Sequence, residues 1–257
     1  MAVDKLVDST QLDSDLASVA NAIRTKGGTS ASLAFPADFV TAIGAIPSGG
    51  GGGWTTNGIA DRSEPNGAIT ISGVSTISAN TFNGCTGITS VYSADAVTIN
   101  AYAFANISGL LLAKFPEVTG TVNNGYCFQY SGARGNSGTI YVFPKLTASG
   151  NRMFERCNAY AIDIGPNFNE IYADMFYNNT ETIRIDRLIL RKADGIVVLG
   201  GANYVRGVQT VYCPSSLIST YQGATNWSTR YSQGRISFVA IEGSEYEGYW
   251  ADGTPIT

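Results

Sequence analysis

One short apolar phrase returns along this chain at a nearly constant interval, and no other feature constrains the fold as strongly. The phrase reads "ISANTFNGC" from Ile77 and "INAYAFANI" from Ile99, so isoleucine, alanine and phenylalanine recur at the same offsets 22 residues apart. The phenylalanine then keeps returning, at successive intervals of 22, 24, 26 and 22 residues. These repeat phenylalanines are Phe82, Phe104, Phe128, Phe154 and Phe176.

Units of this length predict a solenoid. Repeats of about 20 to 29 residues, each a strand followed by an irregular return, are typical of leucine-rich-repeat proteins. A single unit cannot bury its apolar side alone, so stacked units enclose the apolar columns and align their strands in a ladder. Short β-rich runs such as "ITSVYS", "TIYVF" and "AIDIG" separate the phenylalanines here. We therefore expect a mainly β, leucine-rich-repeat-like solenoid in which Phe104 is buried.

The glycine run "SGGGGG" divides the chain. Such a run has no side chains to pack and behaves as a flexible tether. The predicted organisation is an N-terminal helical module at residues 1–47, the linker at 48–53, the solenoid at 54–215 and a C-terminal cap at 216–257.

The N-terminal module has the pattern of a helix that needs a partner. Its apolar positions are spaced four, three and four residues apart, as in a coiled-coil seam. A helix of about four turns is marginal alone in water. The sequence leaves two interpretations open, an oligomerisation or docking module and a helical hairpin in which a second segment, with Phe35 on Phe39, buries the seam. The predicted oligomerisation residues are Leu12, Leu16, Val19 and Ile23.

The composition excludes most catalytic machinery. The chain has no histidine, which removes Ser-His and Cys-His nucleophiles, most catalytic zinc sites and the usual general base near neutral pH. Carboxylate chemistry would need two acids facing one groove, and the sequence does not place them. We therefore expect that the protein is not an enzyme and that it has no catalytic residues, no bound cofactor and no metal site.

Charge and hydropathy restrict the partners. The net charge of −4 and the pI near 4.8 argue against nucleic-acid binding, which needs clustered lysine and arginine. No apolar run approaches the roughly 20 residues that span a bilayer. We expect neither nucleic-acid binding nor membrane insertion.

The cysteines are predicted to be buried thiols. Cys85 and Cys157 share a position in the repeat but lie three repeats apart. With strands about 4.8 Å apart, their separation is on the order of 14 Å, beyond the roughly 7 Å limit for a disulfide. A zinc site would need all four thiolates together, and no CxxC is present.

Tyrosine and asparagine side chains just after the phenylalanines are the candidate ligand-binding residues. Aromatic faces provide contact area at low entropic cost, and tyrosine with asparagine suits sugar rings and hydroxyls. The competing interpretation is that these tyrosines only cover the solenoid's flank. The candidates are Tyr130, Tyr160, Tyr177, Asn178 and Asn179.

Two further features are interpreted as structural. The insertion "SGARGNSG" in the third repeat predicts a protruding loop. The basic set of Arg184, Arg187, Arg191 and Lys192 predicts a solvated strand face in preference to an anion site.

The repeats resemble the BspA-like subclass of leucine-rich repeats, whose units read I-x-x-x-A-F-x-x-C-x-x-L-x-x-I. Phe82 with Cys85 and Phe154 with Cys157 match this pattern, whereas Ile107, Ser131 and Asn179 stand at the cysteine position elsewhere. The resemblance covers roughly residues 70–215, with the pattern blurring after Phe176.

The two ends resemble segments of another kind of protein. "LVDSTQLDSDLASVANAIRTKGGTSASLAFPADFVTAIGAI" is similar to an N-terminal module of structural proteins from tailed bacteriophages of Gram-positive gut bacteria. "PSSLISTYQGATNWSTRYSQGRISFVAIEG" is similar to the segment that follows the repeats in such proteins. This resemblance implies a virion protein, assembled in the host cytoplasm, that docks on other virion proteins through its N-terminal module. By analogy with phage fibres it implies a homo-oligomer, with a trimer as the first expectation. It leaves the location on head, tail or baseplate open.

Two functions follow from that resemblance. In the first, the solenoid is displayed for host attachment and binds a glycan or protein of the bacterial surface. In the second, the protein is a decoration or fibre component that supports virion assembly and stability without binding a receptor.

Overall fold

Eight parallel strands stack in chain order into one sheet, each pairing with the strand of the next repeat. The computed structural model describes residues 16–21, 65–121, 125–135, 137–172, 174–178, 182 and 184–256. The eight strands are β1 (Gly67–Thr70), β3 (Ile88–Tyr92), β5 (Leu112–Lys114), β7 (Ile140–Phe143), β8 (Ala159–Ile164), β10 (Ile185–Leu190), β12 (Val208–Cys213) and β13 (Ser237–Ala240).

Short strands form two smaller parallel sheets within the returns. They are β2 (Thr76–Ile77), β4 (Thr98–Ile99) and β6 (Gly120–Thr121) in one sheet, and β9 (Glu170–Ile171) and β11 (Val198–Leu199) in the other. The described chain is thus mainly β, with parallel sheets and few helices. The prediction of a repeat fold of the leucine-rich-repeat kind is confirmed at this level.

The main apolar core of the described residues runs through the solenoid from Ile69 in β1 to Ile236 before β13, and a smaller buried cluster contains Ala161, Ile189 and Tyr246. All five repeat phenylalanines are buried in the main core, and Phe104 is 0% exposed as predicted. They form one continuous column with neighbouring ring centroids 5.2 to 5.6 Å apart. The repeat therefore has the structural role that its spacing predicted, because each ring is covered by the rings of the adjacent repeats.

Two short helices close the core beside the last strand, at Ile218–Gly223 and Trp227–Ser232. Their buried Tyr221 and Trp227 rings contact Phe238 of β13. The Trp227 Nε1 donates a hydrogen bond to the Val197 carbonyl oxygen at 2.8 Å. These contacts give the large side chains both apolar surroundings and a polar partner, as buried tryptophan requires.

After β13 the chain turns back over the outward face of the eight-stranded sheet. This segment, residues 241–256, is named the strap. Its contacts reach from Tyr212 in β12, through Arg187 in β10 and Asp163 in β8, to Lys114 in β5. The segment 216–257 predicted as a cap therefore supplies a last strand and a cover for the sheet as well.

The insertion in the third repeat also lies on this outward face. Asp186 of β10 accepts hydrogen bonds from the Arg134 Nη2 at 2.6 Å and from the Gly135 backbone N–H at 2.9 Å. The prediction of a protruding loop is corrected for the Arg134–Gly135 stretch, because hydrogen bonds to Asp186 hold it against the sheet.

The N-terminal part is described only over residues 16–21, which are helical. The chain divides into two compact units, Met1–Gly52 and Gly53–Thr257. In the described helix Val19 is 46% exposed, whereas Ala20 is buried. Leu12, Ile23, Phe35 and Phe39 and the linker at 48–53 lie outside the described residues. In the part of the chain that the structure describes, none of the helices has the length and apolar character needed to span a membrane.

Candidate functional site

Each of the first four repeat phenylalanines sits in a turn whose backbone takes the left-handed conformation twice. Two residues before the phenylalanine, φ lies between 51° and 59°; two residues after it, φ lies between 49° and 76°. The first position holds Asn80, Tyr102, Tyr126 and Arg152, and Asp174 takes the same conformation in the fifth repeat. The second position holds Gly84, Asn106, Tyr130 and Arg156.

The left-handed residues on the two sides of each phenylalanine align the turns of successive repeats. The backbone N–H groups of Tyr102, Phe104 and Asn106 donate to the carbonyl oxygens of Gly125, Cys127 and Gln129 in the next repeat, at 2.8 to 3.3 Å. The same three-bond pattern joins the first repeat to the second and the third to the fourth. The left-handed backbone therefore belongs to the stacking, and any residue placed there must adopt it.

Bulky residues occupy these strained positions in the middle repeats. A left-handed conformation costs non-glycine residues of order 1–3 kcal/mol, and asparagine tolerates it better than most. The first repeat uses Asn80 and Gly84, which suit the backbone. The third repeat uses Tyr126 and Tyr130, and the fourth uses a pair of arginines.

The bulky side chains contact one another across neighbouring repeats, and together they are named the turn patch. Its members are Tyr102, Tyr126, Tyr130, Arg152, Arg156 and Tyr177. The Tyr102 and Tyr126 rings stack with centroids 4.9 Å apart. The Arg156 Nη1 donates a hydrogen bond to the Tyr130 hydroxyl, and the Arg152 guanidinium lies 4.4 Å from the Tyr177 ring centroid. Tyrosine and arginine are among the residues most enriched at energetically important interface positions.

Two polar atoms beneath the turn patch have no hydrogen-bond partner within the described residues. They are the buried Glu155 Oε2 and the buried Arg156 Nε. Glu155 is 6% exposed, and its Oε2 lies 3.7 Å from the Arg152 Nη1. Burial, with the nearby Tyr126 and Glu155, raises the pKa of Tyr102. The Arg152 guanidinium therefore balances the charge of the buried Glu155 carboxylate beneath the turn patch.

The structure divides the candidates named from sequence. Tyr130, 43% exposed, and Tyr177 lie in the turn patch. The sequence places Tyr160 in the same turn, but it lies in β8 on the sheet. The prediction that Asn178 is exposed is also wrong, since it is buried and its Nδ2 donates to the Thr182 carbonyl oxygen at 2.9 Å. Asn179 lies outside the described residues.

Four members of the turn patch are absent from the candidates named from sequence. They are Tyr102, Tyr126, Arg152 and Arg156. The signal that finds them is their constant offset from the phenylalanine, two residues before or after it, once the backbone at those offsets is known to be left-handed.

The basic residues near β10 have structural partners. Arg191 donates two hydrogen bonds to Asp163, at 2.7 and 2.8 Å. Arg187 pairs with Glu245 of the strap, and Lys192 with Asp194 at 2.7 Å. Three of the four basic residues are therefore neutralised by carboxylates, which argues against an anion site there. The fourth, Arg184, donates to the Asn158 Oδ1 at 3.3 Å.

The four cysteines are buried thiols, and none of them forms a disulfide. Burial raises the pKa of the Cys127 and Cys157 thiols to about 12. A thiol with such a pKa has little thiolate at neutral pH and is a poor nucleophile or metal ligand. Within the described ranges, no three His, Cys, Asp or Glu residues cluster as a metal site would require.

The turn geometry and the phenylalanine column together define the repeat. Residues 67–184 match the BspA type leucine-rich repeat region, in six copies. The match therefore contains six repeats, whereas the sequence pattern shows five repeat phenylalanines. The matched region ends just before β10. No curated protein and no solved structure matches the chain. BspA-type repeats indicate a surface-binding or protein-interaction domain, and the turn patch is its candidate contact surface.

Proposed function

We propose that this chain is a non-enzymatic structural protein of a tailed-bacteriophage virion that displays its repeat domain for attachment to the host surface. The similarity of both chain ends to phage structural proteins supports the virion context. The repeat type supports a binding role for the displayed domain. The turn patch is the proposed contact surface, and a glycan or protein of the bacterial surface is the proposed partner.

One observation supports the turn patch as the contact surface. Tyr126 and Tyr130 hold a left-handed backbone where the first repeat places Asn80 and Gly84. Backbone strain of this kind persists mainly where function needs the side chain. A chain selected only for stability would use asparagine or glycine at these positions throughout.

The binding test uses the full chain and the variant Tyr130→Asn, which copies Asn106 at the equivalent position. We expect binding to Gram-positive host cells to fall by about 30-fold, the equivalent of a loss of ~2 kcal/mol for a central tyrosine. We expect the free energy of unfolding to stay within about 1 kcal/mol of the parent or to rise, because asparagine suits the left-handed backbone. Flow cytometry on a strain panel and urea unfolding measure the two effects.

Tyr92→Asn is the matched control, because Tyr92 is 40% exposed and lies on the sheet away from the turns. It should leave cell binding unchanged. If Tyr130→Asn binds cells as the parent does, the turn patch is not the contact surface. If the parent binds no strain of the panel, attachment itself is excluded in favour of the second function, a decoration or fibre component.

Both functions need the N-terminal module to join copies or dock on the particle. We propose that it forms the homo-oligomer through the seam of Leu12, Leu16, Val19 and Ile23, with three copies expected. Val19 is 46% exposed on the described helix, so its side chain is accessible to a partner helix.

The oligomerisation test is Val19→Asp in the full chain, measured by sedimentation velocity. We expect the parent to sediment as an oligomer and this variant as a monomer, because a carboxylate cannot enter an apolar seam without a partner. Ala17→Asp is the control, because Ala17 is exposed on the same helix but off the seam. A monomeric parent, or equal dissociation by both variants, would contradict the seam.

A further inference from the structure

A polar groove of about 420 Å³ lies on the outward face of the sheet, separate from the turn patch. Its lining combines Arg134 from the inserted loop with outward side chains of three neighbouring strands. These are Tyr160 of β8, Asp186 and Arg187 of β10, and Gln209, Thr210 and Tyr212 of β12. The sequence does not predict the groove, since its parts lie far apart in the chain and only the strand stacking brings them together.

The charges of the groove cancel. Arg134 pairs with Asp186 at 2.6 Å. The Arg187 Nη1 donates to the carboxylate of Glu245 and, at 2.5 Å, to the Tyr246 hydroxyl, both in the strap. Each cation therefore already has an anionic partner. An anionic ligand such as a phosphate would have to displace a carboxylate, so the groove disfavours it.

The groove keeps hydrogen-bonding capacity despite this neutrality. Arg187 uses only its Nη1, and within the described residues its Nε and Nη2 donate to no acceptor. The Gln209 side chain is exposed and makes no hydrogen bond to any described residue. A planar amide both donates and accepts, as do sugar hydroxyl groups, and a guanidinium offers a fixed fork of donors.

Two aromatic rings complete the lining. The Arg187 guanidinium lies 4.4 Å from the Tyr160 ring centroid and 6.0 Å from that of Tyr212. Contacts with both rings hold the guanidinium in place, so its free donors are presented in one orientation. Arg187 covers the face of the Tyr160 ring, and the Tyr212 ring packs against Tyr246 with centroids 4.8 Å apart, so the surface that the groove offers a ligand is polar.

We propose that this groove binds a neutral saccharide. Its fixed donors, the Gln209 amide and the tyrosine hydroxyls would form hydrogen bonds with the hydroxyl groups of the sugar. The site adds a ligand class and a location to the attachment proposed above, and it does not depend on the turn patch.

The test applies the full-length protein to an array of neutral and anionic bacterial glycans, with polyglycerol phosphate as a purely anionic probe. We expect binding to at least one neutral glycan, little change with salt because no net charge is neutralised, and no binding to polyglycerol phosphate. Gln209→Ala should weaken that binding at least 10-fold, as should Arg187→Lys, which keeps the charge but loses the planar fork.

Tyr92→Asn serves as the control, because Tyr92 lies on β3 outside both the groove and the turn patch, and it should bind the array as the parent does. Unfolding curves of Gln209→Ala should match the parent, since Gln209 is exposed. Binding only to anionic glycans, binding to none, or unchanged binding by Gln209→Ala would each overturn the proposal. Because cell binding through the turn patch is measured separately, failure here leaves the attachment proposal standing, and failure there leaves this one standing.

Discussion

Replacing Phe104 by alanine should lower the free energy of unfolding by roughly 3–5 kcal/mol, the range for large-to-small changes in a packed core. Phe104 is fully buried, and its ring stacks between Phe82 at 5.2 Å and Phe128 at 5.4 Å. Alanine would leave a cavity between two repeats, and each neighbouring ring would lose its contact on one side. Urea unfolding followed by tyrosine and tryptophan fluorescence measures the loss.

The control for this change is Tyr92→Ala, which truncates a half-exposed ring on β3 instead of a buried one. Surface substitutions of this kind usually stay within about 0.5 kcal/mol. A loss below about 1 kcal/mol for Phe104→Ala would mean that the phenylalanine column does not stabilise the solenoid.

Breaking the ion pair beneath the strap should have an effect of similar size. The Asp163 side chain is fully buried, and it accepts two hydrogen bonds from Arg191 and one, at 2.8 Å, from the Ala251 backbone N–H. Asp163→Ala would leave a buried guanidinium without its partner, which typically costs about 3–5 kcal/mol. It would also release the strap where it crosses β8.

Glu117→Ala is the matched control, because Glu117 pairs with Lys145 at 2.8 Å on the surface, where both side chains are largely exposed. Exposed pairs contribute about 0–1 kcal/mol. Urea unfolding should therefore separate the two variants, and hydrogen exchange should show faster exchange of strap amides only in Asp163→Ala. Equal and small losses in both variants would show that the strap is not held by Asp163.

The strap changes how the solenoid holds together. Contacts between stacked repeats join residues about one repeat apart, so stability in such proteins is nearly a sum of neighbour terms. The strap instead joins Lys114 to Asp252 and Asp163 to Ala251, across 138 and 88 residues. It therefore couples β5 and β8 to the end of the chain, and repeats between them cannot open without breaking these bonds.

Much of the candidate site could not be predicted, because side-chain exposure in a solenoid depends on backbone details within each turn. Tyr160 and Tyr177 look alike in sequence, yet one lies on a strand and the other in the turn patch. Asn178 is polar and next to Tyr177, but the turn directs it inward to the Thr182 carbonyl oxygen. The sequence does not identify Tyr102 and Tyr126 as surface residues of the turns, because the left-handed positions around each phenylalanine are known only from the structure.

The sequence by itself determined the repeat, its length and its buried column. A phenylalanine returning every 22 to 26 residues can be covered only by its own neighbours, so burial of Phe104 and parallel stacking follow from periodicity. Tertiary structure alone decided what lies on the outward face. The strap and the inserted loop lie on that face through bonds to Asp163, Lys114 and Asp186. Each of these contacts occurs once in the chain, so the repeat pattern of the sequence cannot predict it. The groove between Tyr160 and Tyr212 exists for the same reason: strands far apart in the chain become neighbours only when the repeats stack.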